Sequence, residues 1–346
     1  MPVLGKSIFS RYPCPCCFAW DELAGYTNFY IPFHMRELLI MALGLGLLIA
    51  GGNWLLKSAV ALSMRLHIPR MIIGMTVVSL ATSAPELIIS VNAAREGFPD
   101  IALSNVVGSN IANLGLVLAL TVILGHIDVR PGFYTTDWPV MMLSTLLFCG
   151  LIYFDGTLSQ TEGIGMLLLL FIFLVYLLRF QKEAVVSEVP ITGLPTPLYK
   201  SLLFLLLGGL ALWGGSELLI RGAVGLATSL GVSERVIGIT LIAAGTSIPE
   251  LAASIIANLK KEKAISLGNL MGSNIFNLLG VMGATSLITP VKVMDPHLLS
   301  HDIFWLLGFS FLILPLVFFP KGLRLGWRDG LVLGGAYLVF LYLTLN

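Results

Sequence analysis

Residues 74–87 read GMTVVSLATSAPEL, and residues 238–251 read GITLIAAGTSIPEL. The offset between them is 164 residues, and the same offset lays SNVVGSNIAN (104–113) on GNLMGSNIFN (268–277) without a gap. From 74 to 113, 17 of 40 positions are identical. Unrelated apolar helices share scattered Leu and Val. Here the shared residues are Thr, Ser, Pro, Glu, Gly and Asn, so the chain contains an internal repeat.

The surroundings of the repeat are apolar. Of 346 residues 57% are hydrophobic and 11% charged, against about 25% charged in an ordinary soluble domain. Lys plus Arg number 20 and Asp plus Glu 19. This balance excludes nucleic-acid binders, disordered chains and most soluble enzymes, because too few polar residues remain to cover a water-exposed surface. Four Cys, three of them at Cys14, Cys16 and Cys17, do not make a disulfide framework. The chain is solvated by lipid.

A spanning helix needs about 20 mostly apolar residues. Ten stretches qualify: 37–62, 70–94, 101–125, 138–154, 163–179, 201–229, 235–258, 264–289, 303–319 and 329–345. The fold class is therefore an all-α membrane protein of ten transmembrane helices. The expected organisation is a disordered amino-terminal extension (1–34), a first five-helix repeat (35–180), a linker (181–200) with Pro190, Pro195 and Pro197, and a second five-helix repeat (201–346). The first 34 residues are not a signal peptide, because Pro13, Pro15, Asp21 and Glu22 interrupt any apolar core. Met35, just before Arg36, would serve as a start. Alternate loops collect twelve Lys and Arg on one side and six on the other. The richer side is cytoplasmic by the positive-inside rule, which puts both termini outside a multi-pass inner-membrane protein. Because five is odd, the second half enters the membrane from the opposite side. Inverted repeats of this kind are a transporter architecture that brings two copies of one site together near the bilayer midplane.

Glu86 and Glu250 fall mid-span, where an ionised side chain costs at least about 2.5–3.5 kcal/mol. No Lys or Arg lies at matching depth in spans two, three, seven or eight, so a bound cation is the counter-charge the pattern calls for. Thr82 and Ser83 share a helix face with Glu86, as Thr246 and Ser247 do with Glu250. Pro85 and Pro249 remove an N–H and free carbonyls around Ala81–Thr82 and Gly245–Thr246. Gly108 and Gly272 loosen the next spans. There Ser109 with Asn113, and Ser273 with Asn277, present oxygens at four-residue spacing. Every donor is a hard oxygen, which argues against zinc, copper and iron and fits Ca²⁺ and Na⁺. Competition between these two ions for one set of oxygens is a coupling mechanism that needs no organic cofactor.

The paired G-T-S-x-P-E and G-S-N-x-x-N motifs resemble the two alpha repeats of the cation/calcium exchanger superfamily, in particular its prokaryotic sodium/calcium exchanger-like branch. The resemblance covers about 37–345. It implies ten helices as two inverted five-helix repeats, Ca²⁺ moved against Na⁺, and spans one and six sliding across the rest. By motif it implies Thr82, Ser83, Glu86, Ser109, Asn113, Thr246, Ser247, Glu250, Ser273 and Asn277 as ion ligands. Departures are Ala81 where the family usually has Gly, Ser104 for Gly before Asn105, and Asn277 where several microbial relatives have Asp. The linker is too short for the calcium-sensing domain of animal relatives.

Other readings of the same residues exist. Buried Thr and Ser can bond the preceding helical turn. Asn110 and Asn274 read as glue between helices. The glycines of spans one and six (Gly44, Gly46, Gly51, Gly52, Gly208, Gly209, Gly214, Gly215) suit either a sliding face or close packing. Lys57 and Arg221, equivalent across the repeat, read as snorkelling cations. His297, His301 and Asp302 read as surface residues. The alternative functions are antiport of Ca²⁺ against H⁺, antiport with K⁺ dependence, and, more remotely, a cation channel. A membrane hydrolase is disfavoured because no His or Lys lies at the depth of the serines.

Overall fold

The computed structural model describes residues 33–180, 197–230, 245–319 and 322–345. The expected disordered extension, most of the 181–200 linker and the first half of the seventh stretch lie outside these residues.

The apolar stretches fold as helices in the expected order. The first half comprises α1 (Phe33–Leu66), α2 (Arg70–Thr82), α3 (Ala84–Arg95), α4 (Pro99–Leu124), α5 (Phe133–Asp155) and α6 (Gln160–Phe180). The second comprises α7 (Leu198–Ser229), α8 (Ile248–Leu259), α9 (Lys263–Ile288), α10 (Leu298–Phe318) and α11 (Trp327–Leu345). Among the described residues seven helices are long and apolar enough to cross a membrane alone, and α2–α3, bent by 45° between the two, makes an eighth. The protein is a helical membrane protein. Its polarity is reversed relative to a soluble fold. Ser79, Ser90, Asn110, Asn269 and Ser273 are buried, while Leu143, Phe154, Phe171 and Leu338 are exposed. Lipid is an acceptable neighbour for the second set but cannot hydrogen-bond the first.

Burial locates the centre. The apolar windows of α4 and α9 are each 78% buried, whereas those of α1 and α7 are 28% and 22% buried. α4 and α9 therefore form the core, and α1 and α7 lie on its lipid-facing side. The two halves keep the sequence offset in space: Ala84–Arg95 and Ile248–Leu259 are 164 residues apart at both ends. The short strands β1 (Ile127–Asp128) and β3 (Val291–Lys292) keep the same spacing. β1 pairs antiparallel with β4 (Arg324–Leu325), and β2 (Thr157–Leu158) pairs with β3, so each ribbon joins one half to the other. Beside the first ribbon, Asp128 collects Lys263 at 3.4 Å and Arg324 at 3.6 Å.

The glycines of α1 and α7 differ in what a side chain there would meet: Gly52 faces the Ile256 side chain of α8 and Gly209 lies in ordinary contact with Ala81. A Cβ on Gly44 would meet the Gly215 carbonyl at 2.8 Å, and one on Gly51 would meet the Gly208 carbonyl at 2.9 Å. The reciprocal contacts, Gly208 on Gly51 and Gly215 on Gly44, are as close. These four residues let the two backbones touch, which is the packing reading. Gly46 and Gly214 face open space.

His297 is exposed, as expected of a surface residue, but His301 is not. His301 Nδ1 lies 2.9 Å from Asp302 Oδ1, Trp305 donates its indole N–H to His301 Nε2 at 3.1 Å, and the imidazole stacks on Phe340. It is a half-buried anchor between α10 and α11. Arg221 is exposed and pairs with Glu217 at 2.6 Å.

Gly51→Val and Gly208→Val should each lower the thermal unfolding midpoint of the purified protein in detergent, by an over-packing cost of about 1–3 kcal/mol. Gly46→Ala should leave it unchanged or raise it slightly.

Candidate cation site

The two repeated motifs fold into the same local structure. Ser83 has φ −87° and ψ 2°, and Ser247 has φ −87° and ψ 3°. Each serine thus interrupts the helical path, separating α2 from α3 and starting α8. Pro85 and Pro249 follow in the first turn, where the missing N–H has no partner to lose. Glu86 and Glu250 occupy that same turn, near the positive end of the helix dipole. The breaks therefore aim two helix N-termini and two carboxylates into the protein.

Both carboxylates are fully buried and within electrostatic reach of one another. Glu250 Oε1 accepts the Ser83 hydroxyl at 3.4 Å. Among the described residues, Glu250 Oε2 and both Glu86 oxygens have no hydrogen-bond partner. The same holds for both polar atoms of the Asn113 and Asn277 carboxamides and for Ser247 Oγ, all of them buried. Elsewhere in folded proteins such atoms are nearly always satisfied.

The remaining residues of the two motifs pair across the halves. Thr82 Oγ1 lies 3.4 Å from Ser273 Oγ, and Ser109 Oγ lies 3.1 Å from Thr246 Oγ1. These two contacts are images of one another under the 164-residue offset. The sequence-predicted residues Thr82, Ser83, Glu86, Ser109, Thr246, Glu250 and Ser273 are thus joined by contact or charge, while Asn113, Asn277 and Ser247 are buried without a direct bond.

Several features were not read from the sequence. A wide π-helical turn begins at Asn113 (Asn113–Val117) and another encloses Asn277 (Phe276–Met282). Such turns skip one backbone bond and are frequent at functional sites. Gly272 does not loosen its helix. A Cβ there would strike Met75 and Ser79 of α2 at 2.6 Å, so the glycine brings α9 against α2. Asn269 accepts the Thr82 hydroxyl at 3.2 Å and donates to Ser254 at 3.1 Å; Asn105 donates to Ser90 at 2.9 Å. Both asparagines and both serines recur at the repeat offset, and that recurrence was the available signal. Asn110 donates to the Asn274 carbonyl at 3.2 Å, the glue expected of it. The Gly245 carbonyl freed by Pro249 is not bare, because Ser216 of α7 donates to it at 3.0 Å. Asn258 donates to the Thr121 and Gly125 carbonyls at 2.6 Å and so closes the end of α4. Ser216 aligns with Gly52 and Asn258 with Ala94, so the repeat held no trace of either.

A cavity of about 760 Å³ reaches the site from one end, lined by Glu37, Glu217, Arg221, Thr246 and Pro249 among others. Thr246 is half-buried, whereas its counterpart Thr82 is sealed. The donor set is two carboxylates, two carboxamides and a ring of hydroxyls. Hard oxygens in this number suit Ca²⁺ or Na⁺ as a transported substrate.

Comparison with known proteins agrees. The sequence profile described as "Sodium/calcium exchanger protein" matches residues 37–179 and 200–346. The chain is 36% identical over 316 residues to the putative antiporter CaxA of Alkalimonas amylolytica, covering 89% of this chain and 98% of the relative. It is 28% identical over 352 residues to the sodium/calcium exchanger MaX1 of Methanosarcina acetivorans, covering 88% and 97% respectively. The solved structure of the sodium-calcium exchanger NCX_Mj superposes with a TM-score of 0.73 at 28% identity, over 88% of this chain and 97% of that one.

Asn269→Leu should lower the thermal midpoint by the equivalent of about 1–3 kcal/mol, because the Thr82 and Ser254 hydroxyls lose a buried partner. Asn105→Leu, at a half-buried position, should cost less in the same measurement.

Proposed function

The chain belongs to the sodium/calcium exchanger protein family, a family of transporters and not of enzymes, and from that premise we propose that it exchanges Ca²⁺ for Na⁺ by alternating access. Cation antiport at the coarse level follows from the family. The ion pair, the ligands and the topology are our reading.

The observation that carries it is the buried pair Glu86 and Glu250, mirrored across the halves and without a basic partner among the described residues. The ligands are Thr82, Ser83, Glu86, Ser109 and Asn113 from one half and Thr246, Ser247, Glu250, Ser273 and Asn277 from the other. Two carboxylates neutralise one Ca²⁺ or serve more than one Na⁺, so the ions compete for the same oxygens. Ten spans as two inverted five-helix repeats, 35–180 and 201–346 about the 181–200 linker, agree with the strand pairing. β1 follows the third span and β4 the ninth, while β2 follows the fourth and β3 the eighth. In each ribbon both loops then emerge on one face. The Lys and Arg count supports an inner-membrane orientation with both termini outside, and the cavity at Thr246 then opens outward.

A proton is the alternative counter-ion, since a carboxylate that binds a metal ion also binds a proton.

In proteoliposomes, an outward Na⁺ gradient should drive uptake of radiolabelled Ca²⁺, and a pH gradient alone should not. Glu86→Gln and Glu250→Gln should each reduce that uptake to background while the protein elutes unchanged on size exclusion. Uptake driven by the pH gradient alone would replace Na⁺ with H⁺ in this scheme. Uptake surviving both substitutions together would remove the carboxylates from it.

A further inference from the structure

Where α1 and α7 lie side by side, a second cavity of about 220 Å³ is lined by Trp54, Lys57, Ser58, Lys200, Ser201 and Phe204. We propose that this niche binds a phosphate group, most naturally that of an anionic phospholipid headgroup. The inference is separate from the ion site and does not depend on which cations are exchanged.

The niche is built from donors. Lys57 and Lys200 bring two positive charges, and among the described residues no carboxylate pairs with either. Ser58 is 3% exposed, lines the cavity, and its hydroxyl has no hydrogen-bond partner among the described residues. Lys200 and Ser201 lie in the first turn of α7, a helix of 32 residues whose first turn closes on the Pro197 carbonyl. The positive end of that helix adds to the field of the lysines.

The repeat identifies what is missing. The 164-residue offset carries Lys57 onto Arg221, Lys200 onto Arg36, Ser201 onto Glu37, Trp54 onto Leu218 and Phe204 onto Ile40. All five counterparts line the larger cavity at the other end of the α1–α7 pair. There the chain supplies its own acids, and Glu217 pairs with Arg221 at 2.6 Å. Glu37 is 5% exposed, with Oε1 3.9 Å from Arg36 Nε. In the smaller niche Ser201 stands where Glu37 stands in its mirror image. The two cations remain, and no acid lines the cavity between them. An anion from outside restores the balance.

The rim points to a lipid source. Trp54, Leu202, Leu203 and Phe204 are exposed large apolar residues beside the niche, and Trp54 and Phe204 rings lie 6.3 Å apart. Aromatic rings flanking lysines are what a headgroup region favours. On the Lys and Arg count this is the cytoplasmic leaflet, which carries the anionic lipids.

The test uses the full chain purified in neutral detergent. Thermal midpoint and lipid retention by native mass spectrometry are followed on adding phosphatidylglycerol, phosphatidylcholine or inorganic phosphate. Phosphatidylglycerol should raise the midpoint and stay bound, and phosphatidylcholine should do neither. Lys57→Gln with Lys200→Gln should weaken retention, by about fivefold per lysine. Ser201→Glu, which installs the mirror-image carboxylate, should abolish the response to phosphatidylglycerol while leaving cation exchange intact. If inorganic phosphate alone reproduces the stabilisation, the site stands with a free anion as its source. If phosphatidylcholine matches phosphatidylglycerol, or if the double lysine variant binds as the unmodified chain does, the proposal is overturned.

Discussion

Two carboxylates buried inside a lipid-solvated protein, with no basic side chain paired to either among the described residues, are the constraint around which this protein is built. Hydrophobic burial cannot produce that arrangement and would oppose it. The fold answers with breaks in two helices, which turn helix N-termini toward the acids, and with a surrounding set of hydroxyls and carboxamides. The packing of α4 and α9 at the centre, the glycines that let α9 touch α2, and the asparagine–serine pairs behind the site all serve to hold those groups in place.

Neither half of the chain makes the site by itself. Thr82 meets Ser273 and Ser109 meets Thr246, so each motif completes the other. A duplicated sequence folded in one orientation would have given two separate half-sites. The two copies instead share one centre. Access to the two copies is unequal, because Thr246 is reached by the large cavity and Thr82 is sealed.

Much of this was legible in the sequence because the repeat carries chemistry and not merely hydrophobicity. The offset marked Glu86 and Glu250, the helix breaks at Pro85 and Pro249, and the order of the apolar segments. The wide turns at Asn113 and Asn277 were not legible, since a skipped backbone bond leaves no periodic trace. Gly272 was misread for a related reason: a glycine in a helix looks the same whether it loosens the backbone or admits a neighbour. Ser216 and Asn258 were invisible because each satisfies a carbonyl far away in the chain and has no counterpart in the other half. His301 was read as a surface residue because the sequence around it could not reveal the aromatic partners from two helices, Trp305 and Phe340, that make it an anchor.

The two small ribbons described above have a mechanical meaning. Each is only two residues long on either strand, yet together they cross-brace the halves at both ends of the bundle, and every described strand adjoins a helix other than α1 or α7. The braced helices behave as a chassis. The α1–α7 pair, seated on its flank and joined backbone to backbone through glycine, carries no described strand and stands outside that bracing.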